Sequence, residues 1–148
     1  MQEKGTEVVD ELFERRQGDE FFALSTLAIL ELKSALRRLV KGGQLQGIQY
    51  EALISDLADD VPSVSIWLPV DNALAEEAAA VLEKHPLRTG DALHFASILR
   101  LKSIADDTAQ RLVVVASDQE IITACRAEGW SVLNPEDEQA VQALRNLR

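Results

Sequence analysis

Three acids of this chain stand where apolar or neutral residues are the rule. Glu31 lies inside "STLAILELKSAL", where its helical neighbours three and four positions away are Leu27, Ala28, Ser34 and Ala35. Asp91 follows Thr89-Gly90 in "LRTGDALHFASILRLK", and Asp118 follows directly on "LVVVAS". Carboxylates gathered at one point hold a hard divalent cation through oxygen. Such an ion activates water and steadies charge on a phosphate. Each acid also has an ordinary explanation. Glu31 can reach solvent from a helix edge or pair with a base. Asp91 sits in a first helical turn behind Thr89 as N-cap, where the helix dipole favours an anion by about 0.3–1 kcal/mol. Ser117 and Glu120 have capping-box spacing, which explains the segment and leaves Asp118 free for another role. Both kinds of reading stay open on local grounds.

The elements around these acids alternate between strand and helix. "TEVVDELFERRQG" is predicted as a helix ending near Gly18. "EFFALS" is a short strand flowing into a helix over "TLAILELKSALRRLVKGG", which stops at Gly42-Gly43. "YEALISDLADD" is a helix closed by Val61-Pro62, and "SVSIWLPV" a strand with Val64, Ile66 and Leu68 on one face. Asp71 can cap the helix "NALAEEAAAVLEK", and the loop "HPLRTG" leads into the helix that carries Asp91. "RLVVVAS" is a β-branched run of the kind buried on both faces of a sheet. "DQEIITACRAEG" is a helix ending at Gly129, and "SVLNP" a last strand, before a polar tail helix over about 135–148. This order predicts one α/β domain over residues 1–148, with a mostly parallel sheet and helices on both faces. Ligands of such sheets bind beyond the carboxyl ends of the strands, where Asp118 falls.

Bulk properties narrow the function classes. The 148 residues suit one domain, and no apolar run reaches membrane-spanning length. The net charge of −10 counts against a large passive nucleic-acid-binding surface, while leaving room for an enzyme whose acids hold metal ions at the phosphate. The single cysteine, Cys125, excludes an internal disulfide, suits a reducing cytoplasm, and reads as a buried, inert thiol. His94 reads as a packing residue, and Asp59-Asp60 and Asp106-Asp107 as solvated helix ends. No glycine-rich phosphate loop, Cys/His metal set or Gly-x-Ser-x-Gly elbow is present.

Three blocks carry a likeness to a known family: "LSTLAILELKSALRR" around Glu31, "LPVDNALAEEAAAVLEKHPLRTGDALHFASILRLK" around Asp91, and "LVVVASDQEIITACRAEGWSVLNP" around Asp118. In these residues, their order and their spacing, the chain resembles PIN-domain proteins, and specifically VapC-type toxin ribonucleases, from about residue 3 to residue 135. The resemblance implies a three-layer α/β/α sandwich and cleavage of RNA dependent on Mg²⁺ or Mn²⁺. It implies that Glu31, Asp91 and Asp118 are catalytic and metal-binding acids, with Ser117 as a supporting hydroxyl. Arg88 and Arg100 are then candidates for the RNA backbone. It also implies a cognate antitoxin and a homodimer as partners. One feature departs from the pattern. Such proteins begin with a central strand bearing a further aspartate, and no residue here matches it. "MQEKGTEVV" resembles the segment just after that strand, so the N-terminal strand is expected to be missing and this chain to have little or no ribonuclease activity. The alternative is a catalytically incomplete PIN-like protein that binds an antitoxin or a twin copy. A generic α/β module unrelated to RNA is a third reading.

Overall fold

The computed structural model describes residues 3–148; of the "MQEKGTEVV" block, Met1 and Gln2 lie outside the described residues. The predicted alternation is present. In chain order the elements are α1 (Thr6–Glu14), β1 (Ala23–Ser25), α2 (Thr26–Lys41), α3 (Gly47–Asp60), a 3-10 turn at Val61–Ser63, β2 (Ile66–Leu68), α4 (Asn72–Leu82), α5 (Thr89–Asp107), β3 (Val113–Val115), α6 (Gln119–Ala127), β4 (Ser131–Leu133) and α7 (Ala140–Leu147). The protein is a mixed α/β fold with short parallel strands. Among the described residues the strands pair in parallel, β1 with β2 and β3 with β4. The chain divides into two compact units: residues up to Glu20 together with Asn72–Arg148, and Phe21–Asp71.

The first unit is layered. The pairs Val113↔Ser131, Val114↔Val132 and Val115↔Leu133 set the register of β3 on β4. Successive side chains of a strand point to opposite faces. Val114 and Val132 enter a core with Leu74, Ala78 and Val81 of α4, Ala92, Phe95 and Ala96 of α5, and Ile121, Ala124 and Cys125 of α6. Val113 and Leu133 turn the other way, onto Val8 of α1 and Ala140 and Leu144 of α7. Helices therefore cover both faces of this strand pair, as its β-branched composition predicts. The prediction fails at Val115, which is 40% exposed at the carboxyl end of β3. Phe95 is 1% exposed and stacks on Trp130 at 5.0 Å between ring centroids. Gly5, at φ +91°, caps α1 where a Cβ would lie 3.1 Å from the Pro135 backbone, so a side chain there meets both strain and a clash.

The second unit holds β1, α2, α3 and β2. Ser25 ends β1 and caps α2 by accepting from the Leu27 N–H at 3.2 Å. α2 ends at Gly42-Gly43, as expected. α3 starts three residues earlier than the apolar pattern suggests, because Gln46 and Gln49 form a reciprocal capping box. Tyr50 and Leu45 are buried here, and the Arg37 guanidinium lies 4.2 Å from the Tyr50 ring centroid. α2 contributes no buried residue, and Leu30 is 67% exposed.

Two further boundaries differ from expectation. Arg88, not Thr89, is the N-cap of α5, so Thr89 is already helical. The tail helix begins at Ala140, not near 135. Asn134 holds residues 134–137 in turns by accepting from the Glu136 N–H and donating to Asp137, and these bonds compete with helix formation.

Candidate metal centre

Asp91 and Asp118 reach their places through two helix starts. The turn after α4 delivers Arg88 in extended conformation, φ −71° and ψ 160°, and α5 begins behind it with Asp91 in the first turn. At the other start, β3 runs through Ala116 and Ser117 to Asp118, the N-cap of α6. α5 and α6 pack through Phe95, Ala92, Ile121 and Cys125 in one core, which holds the two starts together. Oxygen atoms of Asp91, Asp118 and Glu120 all lie within 4.8 Å of one another. Asp91 and Asp118 are partly buried and Glu120 is exposed.

One expectation is corrected here. Ser117 does not cap α6. The cap is Asp118 itself, whose Oδ1 accepts from the Glu120 N–H at 2.8 Å and the Ile121 N–H at 3.1 Å. With Asp118 as N-cap, Glu120 falls in the first turn and turns its carboxylate toward Asp91. Glu120 was masked in the sequence by the competing Ser117–Glu120 capping-box spacing. Moving the cap by one residue would have exposed it. Ser117 is exposed beside the cluster.

Arg88 is the second residue the sequence understates. Its Nε lies 3.1 Å from Asp91 Oδ2 and 3.4 Å from Glu120 Oε2, and its Nη2 lies 3.2 Å from Asp118 Oδ2. Asp91 first, then Glu120 and Asp118, hold the guanidinium above its ordinary pKa. Arg100 is engaged elsewhere. It forms a forked pair with Glu77 of α4, at 2.8 and 2.9 Å, and ties α4 to α5. Glu31 belongs to the second unit, where it is exposed on α2 beside Leu27, Ser34, Ala35 and Arg38. Cys125 is fully buried, and burial pushes its thiol up to about 11, so the inert reading of this cysteine agrees with its surroundings. His85, which no sequence motif singles out, lies 2.9 Å from Glu128 through Nε2 and packs against Phe95.

The donor chemistry fits a hard divalent cation. Three carboxylates at this spacing offer only oxygen, the ligand type that magnesium and manganese prefer. Among the described residues no helix is long and apolar enough to cross a membrane. No curated protein and no solved structure matches the chain. The model of one family does, the PIN domain, over residues 2–126. Members of that family are in general metal-dependent nucleases of RNA or DNA. A match that spans α1 through α6, including both helix starts that carry the acidic cluster, settles the affiliation: the chain belongs to the PIN domain family.

Proposed function

We propose that this protein is a metal-dependent endoribonuclease, the VapC-type toxin of a toxin–antitoxin pair, working as one PIN-like domain in the cytoplasm. The observation that carries the nuclease reading is the meeting of Asp91, Asp118 and Glu120 within 4.8 Å at two helix starts. Asp91, Asp118 and Glu120 would hold Mg²⁺ or Mn²⁺, which when bound neutralises charge on the scissile phosphate and makes a water easier to deprotonate. The remaining work falls to the chain. The starts of α5 and α6 present the three acids to one point. The packing of α5 on α6 fixes the spacing of the acids, and displacement by about 1 Å can cost on the order of 100-fold in rate. Ser117 stands beside Asp118 with a hydroxyl that can donate to a phosphate oxygen. The resemblance adds Glu31 as a further catalytic acid and Arg88 and Arg100 as backbone contacts. It also adds an aspartate on a first strand, for which this sequence has no match.

The exposed leucines of α2 favour a protein partner as well, the antitoxin or a second copy. Leu30 is 67% and Leu32 41% exposed on a helix with no buried residue. This is also the surface a catalytically incomplete binding module would use.

The test is cleavage of single-stranded RNA in Mn²⁺ and in Mg²⁺ by the wild type, Asp91→Asn and Glu31→Gln. The expected result is weak cleavage that is stronger in Mn²⁺ and is lost in both variants. Equal cleavage by the wild type and Asp91→Asn would refute the site. No cleavage by the wild type, with Mn²⁺ bound, supports the binding module.

A further inference from the structure

We propose that Arg88 is a built-in counter-cation of the carboxylate cluster, which competes with the divalent ion for the same oxygens and so sets the threshold for loading. This rests on the metal-site reading above and concerns its regulation.

All three carboxylates of the cluster meet one guanidinium. Arg88 reaches Asp91 at 3.1 Å, Asp118 at 3.2 Å and Glu120 at 3.4 Å. The oxygens it uses are those an ion needs. Asp118 Oδ1 is committed to the helix cap, which leaves Oδ2 for a cation, and Oδ2 is the atom facing Arg88. On Asp91 the contacted atom is again Oδ2, from Nε. Guanidinium and metal ion therefore compete for Asp118 Oδ2 and Asp91 Oδ2 in this arrangement. Arginine stays charged at any physiological pH, so its hold is not relieved by titration. A planar fork also matches carboxylates better than a point charge does.

The placement of Arg88 makes the exchange easy. Its backbone is the N-cap of α5 and sits three residues before Asp91, so α5 itself aims the side chain at the cluster. The side chain is 72% exposed, so it can leave without disturbing a packed core. A divalent ion, with twice the charge and shorter contacts to oxygen, displaces it. The released guanidinium stays tethered at the rim of the cluster, where a phosphate has to approach. Arg88 then has two positions, one on the acids and one free for a polyanion.

The experiment is calorimetric titration of Mn²⁺ into the metal-stripped protein, without substrate, for the wild type, Arg88→Gln, Arg88→Lys and Arg126→Gln. Arg126 is exposed in the last turn of α6 and controls for the loss of any one positive charge. Arg88→Gln is expected to bind Mn²⁺ about three- to tenfold more tightly than the wild type, as removal of an exposed but multiply paired competing charge implies. Arg88→Lys should fall between them, and Arg126→Gln should match the wild type. Wild-type binding with Arg88→Gln equal or weaker overturns the counter-cation role alone and makes Arg88 a support for the ligands. Equal tightening by Arg126→Gln also overturns it, as a general charge effect. Absence of Mn²⁺ binding in both the wild type and Arg88→Gln overturns the metal reading and this inference together.

Discussion

Asp118 holds two tasks on two oxygens, and two substitutions separate them. Oδ1 caps α6 by accepting from the Glu120 and Ile121 N–H groups at 2.8 and 3.1 Å, and Oδ2 faces Arg88 and is left for a cation. Asparagine ranks with aspartate as an N-cap and keeps an oxygen in the Oδ1 position, whereas alanine keeps none. Loss of such a cap costs about 0.5–2 kcal/mol. The cost reaches the whole unit, because α6 delivers Ile121, Ile122, Ala124 and Cys125 to the buried interior. For a chain of this size, a loss of about 1 kcal/mol lowers Tm by about 2–4 °C. Asp118→Ala is therefore expected to melt a few degrees below Asp118→Asn. Asp118→Asn should stay close to the wild type, since it gives up the Arg88 pair and also the repulsion from Asp91 and Glu120. Both variants should lose the stabilisation that Mn²⁺ brings, which for a ligand bound only by the folded state is about 2.7 kcal/mol at 100 times Kd. Melting followed by circular dichroism, with and without Mn²⁺, reads both effects. Equal melting of the two apo variants would show that the cap bonds contribute nothing. A full Mn²⁺ response in Asp118→Asn would remove Asp118 from the metal site.

Two other outcomes follow from groups outside the cluster. Arg148 holds the Glu20 carboxyl below its ordinary value of 4.5, chiefly through a side-chain hydrogen bond, and Arg145 does the same for Glu11. Stability from these pairs is complete above pH 4.5 and is lost as the pH falls through the lower folded-state values, because the unfolded chain binds protons first. Glu20→Gln should flatten that part of the stability–pH curve, and a curve of unchanged slope would refute the assignment. Cys125, fully buried with its thiol pushed up to about 11, should resist a thiol reagent at pH 8 in the folded protein and react at once in denaturant; prompt reaction without denaturant would mean the core opens there.

Local physics made much of this protein legible in its sequence. Among the described residues the seven helices and four strands leave periodic or β-branched signatures, and the helix stops at Gly42-Gly43 and Gly129 follow from glycines. Asp91 and Asp118 were also readable, one as a first-turn acid and one at a strand end, because both are defined by their own segment. What only tertiary structure decided involves partners distant in sequence. Asp118 and Arg88 are 30 positions apart and meet only because α5 and α6 start side by side over a shared core. The same packing brought Glu120 into the cluster, after the local bonds of Asp118 to the Glu120 and Ile121 N–H groups had set the start of α6. Which strand pairs with which was likewise outside the reach of any short segment, since pairing depends on non-local hydrogen bonds. Arg88 reads in the sequence as a loop arginine, a candidate for the RNA backbone or a solvated surface residue. The fold turns it onto three carboxylates, since a cation settles where opposite charge is closest.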